Sequence, residues 1–256
     1  MKNIFNLEIL KVLFICIIVA IMDITGIPAF YFIDITFLDI NPLIISLFSN
    51  FILIAIFIFL SKKFLFPSWN FSFNKNYLLT AIKDYGIVIL FIFVATTFAF
   101  YIGLKPFDYN PSIYKVLIEG IIYYIGVGFI EELYIRGLLL NALEIIFKKK
   151  NNFTLLSIIF SSVIFGIGHI FGSLESPLIV IISKVIWTIS LGLFLGVIYK
   201  KSNCLLISII AHSLIDFSAI PFVFKKEFFY PTISLMIIIP LYLALGIFSI
   251  YIYKRK

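Results

Sequence analysis

The chain has 256 residues, of which 62% are hydrophobic and 13% charged, and its mean hydropathy is +1.16. A soluble domain of this size could not keep so much apolar side chain from water, so the composition excludes a globular cytosolic protein and points to a polytopic membrane protein. The formal charge is +7, but the lysines fall between apolar runs, so they read as topology signals and not as a nucleic-acid surface.

The apolar runs are continuous and about twenty residues long, which is the length of a membrane helix; barrel strands alternate polar and apolar over about ten residues. The predicted fold class is therefore all-α, a transmembrane bundle of about eight spans. In chain order they cover roughly 7–27, 42–61, 85–104, 116–147, 153–170, 178–199, 204–221 and 231–252. The first, LEILKVLFICIIVAIMDITGI, has a basic start but no small-x-small cleavage site, and reads as a retained span. The fourth exceeds the length a bilayer needs, so it must tilt, kink or extend beyond it. No internal repeat, linker or soluble domain is visible, so residues 1–256 are expected to form a single membrane domain. Cys16 and Cys204, both in apolar segments, form no CxxC motif or disulfide framework.

With eight spans, fourteen basic residues lie on one side: Lys2, Lys11, Lys62, Lys63, Lys75, Lys83, Lys148, Lys149, Lys150, Lys200, Lys201, Lys254, Arg255 and Lys256. Four lie on the other: Lys105, Lys115, Lys225 and Lys226. The positive-inside bias places both termini in the cytoplasm.

Charged side chains near a helix centre cost about 2.5–3.5 kcal/mol on insertion scales, so they face the bundle interior and find partners. Glu131, Glu132 and Arg136 fall in the fourth span, His169 in the fifth, and His212 with Asp216 in the seventh. The chain's two histidines thus both lie inside the membrane, on different helices. Glu132 and Arg136 are spaced i, i+4 with the acid N-terminal, the favourable order for a helix ion pair. Glu131 is about 100° further round the helix, without a local cation, and free to face the bundle centre. Glu132 and Arg136 therefore read as structural and Glu131 as reactive. Phe165 and His169 share the same spacing, as do His212 and Asp216. The glycines of FGIGH let backbones approach and leave room near the imidazole. Asp23, Asn50, Glu119 and Lys184 receive an ordinary interfacial or snorkelling reading.

No serine-nucleophile signature, cysteine–histidine neighbour or HExxH helix is present. What remains is a carboxylate base, a histidine to share a water, and a second polar pair to stabilise an oxyanion, enough for peptide hydrolysis by activated water. The same Glu131, His169, His212 and Asp216 could instead hold a divalent metal such as zinc, and the residues alone leave both open. A proton-coupled transporter with a Glu/His relay and a non-catalytic membrane regulator are the alternatives from other classes; the chain lacks the inverted repeats and broken-helix pairs of the former.

The stretches EELYIRGLLLNAL, SSVIFGIGHI and SIIAHSLIDF resemble the three motifs, EExxxR, FxxxH and HxxxN or HxxxD, of the CPBP intramembrane proteases. That family includes type II CAAX prenyl endopeptidases and bacterial bacteriocin-processing or self-immunity proteins. The resemblance covers a core at 115–222. It implies that Glu131 activates water with His169 as partner, that Glu132 and Arg136 orient the site, and that His212 and Asp216 stabilise the oxyanion or bind metal. It implies a bilayer, a peptide or lipidated-protein substrate, and the plasma membrane of a prokaryote. The prenyl endopeptidases have Asn at the last motif position where this chain has Asp216, and an aromatic often precedes the motif arginine where Ile135 stands here.

Overall fold

The computed structural model describes residues 2–25, 42–103, 113–220 and 232–255. These are helical almost throughout, and the eight apolar runs form eight rods. They are α1 (Lys2–Thr25), α2 (Pro42–Leu65), α3 (Lys75–Gly103), a rod made of α4 (Ile113–Glu132), a π-helical stretch Leu133–Leu140 and α5 (Asn141–Phe147), then α6 (Phe153–Gly168), α7 (Leu178–Ser202), α8 (Leu205–Phe217) and α9 (Thr232–Lys254). Isoleucine-rich runs would favour strands in water. In lipid each backbone N–H and C=O must be satisfied within its own segment, so they coil. Among the described residues, helices at Phe48–Leu65, Lys75–Ile102, Phe153–Ser173, Leu178–Ser202 and Thr232–Lys254 are long and apolar enough to cross a membrane. Large apolar side chains such as Ile87, 81% exposed, and Ile247, 72% exposed, cover the outside and suit lipid, not water.

Two rods depart from the expected spans. The long fourth run is not one regular α-helix but carries a widened π turn at Leu133–Leu140, all of it buried. The seventh, expected over 204–221, is a helix of 13 residues, roughly 20 Å long and too short to cross a bilayer by itself. It is held inside the bundle, with Leu205, Ser208, Ala211 and His212 buried.

The close approach of α4 and α8 is set by Gly128. A Cβ there would collide with Ser213 Oγ and lie 2.9 Å from the Ser213 backbone nitrogen. Any larger residue would push α8, and the histidine it carries, away from the glutamates of α4. The chain reverses between α7 and α8 at Asn203 (φ 51°), a left-handed position that asparagine tolerates. Leu205 N donates to Ser72 O at 2.7 Å, which ties this reversal to the connection between α2 and α3.

Candidate active site

Glu131 and Glu132 end the regular part of α4, and Arg136 lies within the π stretch that follows. A π turn in a helix often marks a functional site, because it re-aims side chains that regular geometry would stagger. The spacing-based ion pair is present: Arg136 Nη1 lies 2.8 Å from Glu132 Oε1, and both side chains are fully buried. Arg136 Nη2 donates to Gly192 O of α7 at 3.3 Å, and the guanidinium sits over the Phe165 ring, 4.7 Å from its centroid. A buried cation is thus held by a carboxylate, a carbonyl and an aromatic face.

Glu132 has a second task that its spacing did not reveal. The same Oε1 lies 2.9 Å from His212 Nδ1 on α8. The other ring nitrogen, Nε2, lies 3.3 Å from Asp216 Oδ2 and 3.5 Å from Glu131 Oε2. One imidazole therefore faces three carboxylates, two from α4 and one from its own helix. The doubly protonated ring is the form that offers a donor at each nitrogen.

His169 caps the end of α6. Its Nδ1 lies 2.9 Å from Phe165 O. A carbonyl only accepts, so Nδ1 carries the hydrogen, and in the neutral ring Nε2 is left as an acceptor. The Phe165 ring meets His169 edge to face at 4.6 Å and His212 at 5.7 Å. Phe165 thus contacts both histidines and the arginine. Gly166 faces α7, where a Cβ would collide with Ile189 Cγ1 and lie 3.1 Å from Val185 O, whereas a Cβ at Gly168 meets nothing within 4 Å. One glycine of FGIGH serves helix contact and the other leaves space.

These groups line a cavity of about 840 Å³ that Glu131, His169, His212 and Asp216 share. The structure places His212, not His169, against Glu131, while His169 borders the same space. Glu131 Oε2 is buried and without a hydrogen-bond partner among the described residues. Among those residues no three His, Cys, Asp or Glu side chains are arranged to hold a metal ion.

Two residues given an interfacial reading belong to this cavity instead. Asp23 of α1 lines it and accepts a hydrogen bond from Tyr134 Oη at 3.5 Å. Lys184 lines it from α7, on one stripe with Trp187, Thr188 and Leu191. Asn50 is buried and donates from Nδ2 to Met22 O at 3.4 Å, joining α2 to α1. Glu119 is buried as well. A lone charge near a span end carries no sequence signal for which way it faces. For Lys184, the i, i+3, i+4, i+7 stripe it heads was the readable clue.

Residues 113–218 match the family model described as Type II CAAX prenyl endopeptidase Rce1-like, a stretch that contains every motif residue named above and less than half of the chain. The match bears out the resemblance that the three motifs carry. At family level this stretch is similar to a domain of intramembrane proteases. No curated protein matches the chain.

Proposed function

We propose that this chain, whose Rce1-like stretch contributes the motif residues that line the cavity, is an integral membrane endopeptidase that hydrolyses a peptide bond with a water activated by Glu131. The observation that carries the reading is Glu131 Oε2, buried, accepting no hydrogen bond among the described residues and 3.5 Å from His212 Nε2, facing a cavity ringed by residues of all three motifs. A carboxylate held so can accept a proton from a water beside it.

In the proposed reaction, Glu131 removes a proton from water, with the acceptor Nε2 of His169 holding the water's other hydrogen. The hydroxide oxygen bonds to the scissile carbonyl carbon, and the carbonyl electron pair moves onto its oxygen. His212 supplies the donor to that oxyanion from Nε2. When the carbonyl reforms, the C–N bond breaks and Glu131 returns its proton to the leaving nitrogen. The position of Asp216 supports a role through His212: an ionised aspartate aimed at the oxyanion would repel it, whereas Asp216 Oδ2 lies 3.3 Å from Nε2, where it can orient the ring. Glu132, fixed by Arg136, holds the ring from the other side.

The donor set favours metal-free chemistry. His212 directs both nitrogens at carboxylates, and His169 commits Nδ1 to its own helix. A zinc ligand set needs several such groups converging on one point. No step is routed through a metal. The lipid bilayer and a peptide or lipidated protein are the partners this reading implies, and the cavity sets no sequence preference.

Purified protein in detergent, given a peptide library in ¹⁸O-labelled water, tests the reading. The expected result is new C-termini carrying ¹⁸O from the solvent. A library left intact by well-folded protein would contradict it.

A further inference from the structure

Asn141 stands where the π stretch returns to regular helix, and its side chain has a task there. In a regular helix its backbone N–H would meet Gly137 O, and in a π turn it would meet Arg136 O. Here that N–H turns to Leu138 O instead. The side chain takes up both carbonyls: Asn141 Nδ2 donates to Gly137 O at 2.8 Å and to Arg136 O at 3.2 Å. An amide is suited to this because one nitrogen carries two hydrogens.

The amide is itself held from α7. Its Oδ1 accepts from Lys200 Nζ at 2.6 Å, and its Nδ2 lies 3.3 Å from Tyr199 Oη. Lys200 is steadied in turn by Glu144 Oε2 of α5, at 2.7 Å. The π stretch is therefore tied to α7 at two heights. Arg136 reaches Gly192 O through its guanidinium. Asn141 reaches Lys200, about 12 Å further along the α7 axis. The same helix holds α8, where Ser208 Oγ donates to Leu195 O at 3.0 Å. One helix thus sets the register of both sides of the Glu132–His212 contact.

We infer that Asn141 is a positioning residue of the active site: its amide ends the π stretch and locks it to α7, which places Glu132 against His212. Asn141 does not line the cavity, so it acts through the backbone of Arg136 and Gly137. Its effect on hydrolysis rests on the protease reading, whereas its effect on Glu132 and His212 stands on the hydrogen bonds alone.

The test uses the full chain in lipid bilayers. Asn141→Asp keeps the shape of the side chain and an oxygen for Lys200, but has no N–H for the two carbonyls. Asn141→Ser keeps one donor, which a helical serine directs at the carbonyl four residues back. Asn141→Leu, apolar and of similar size, carries the same comparison if the aspartate variant does not fold. The chain has two histidines, so labelling histidine alone with ¹⁵N gives ring signals from His169 and His212, told apart by His169→Gln. In the aspartate variant the His212 ring signals should move in solid-state NMR. Those of His169, bonded to its own helix, should stay. Its kcat should fall by about 10²-fold, as for an ångström-scale misplacement, with KM little changed. The serine variant should recover part of both. A folded aspartate or leucine variant with native His212 signals overturns the inference, as does a loss of kcat that merely tracks the melting temperature across the variants. If the native chain cuts no peptide while His212 still shifts, the protease reading falls and the positioning of Glu132 by Asn141 stands.

Discussion

Glu132 Oε1 lies 2.9 Å from His212 Nδ1, a residue 80 positions further along the chain. The same oxygen lies 2.8 Å from Arg136 Nη1. One buried atom therefore fixes a cation within its own helix and an imidazole on another. Removing either partner leaves the other charge uncompensated in a low-dielectric interior.

Arg136→Ala should accordingly destabilise the fold by about 3–5 kcal/mol, since it strands a buried carboxylate. Combining Glu132→Gln with Arg136→Met should recover part of that loss. Thermal melts of the two single variants and the double give the coupling directly, and simple additivity would count against the pair.

A methyl group at position 128 should act at a distance. Gly128→Ala places a Cβ against Ser213, so α8 must shift and carry His212 and Asp216 with it. Overpacking of this kind costs about 1–3 kcal/mol. Loss of hydrolysis should exceed what the fall in melting temperature explains. Adding Ser213→Gly relieves the Oγ clash but not the approach to the backbone nitrogen, so it should restore activity in part. Wild-type turnover in the single variant would show that the α4–α8 spacing is not critical.

Much of this was legible in the sequence because membrane helices obey local rules. The run lengths gave the rods, and the i, i+4 spacing gave the ion pair of Glu132 and Arg136. The π stretch at Leu133–Leu140 was not legible. Apart from Gly137, nothing in LYIRGLLL sets it apart from the helix on either side, and no sequence signal marks the wider turn. Nor could spacing show that His212 and not His169 meets Glu131, since that depends on how deeply α6 and α8 sit relative to α4. The shortness of α8 was hidden because Ala219 and Ile220 continue its apolar run past the end of the helix.

The position of Asp216 predicts a graded response. Asp216→Asn keeps a group that can hydrogen-bond to His212 and matches the residue of the prenyl endopeptidases, so it should retain hydrolysis at a reduced kcat. Asp216→Ala should lose it. Equal activity of the two variants in steady-state kinetics would mean that Asp216 does not act through His212.

Chelation tests the chemistry from another side. With water activated by Glu131 and His169, prolonged treatment of the purified protein with a strong chelator should leave its activity unchanged. Elemental analysis showing one metal per active chain, lost in parallel with activity and restored by zinc, would overturn the metal-free account.

The most direct measurement is single-turnover hydrolysis by Glu131→Gln beside the native protein, with thermal melting to confirm that the variant is folded. Glutamine keeps the size and hydrogen-bonding reach of the side chain but cannot accept the water's proton. The account predicts that cleavage falls by at least about 10²-fold, the lower range for loss of a positioned general base, while the melting temperature stays near that of the native chain. Cleavage by the folded variant at the native rate would contradict it.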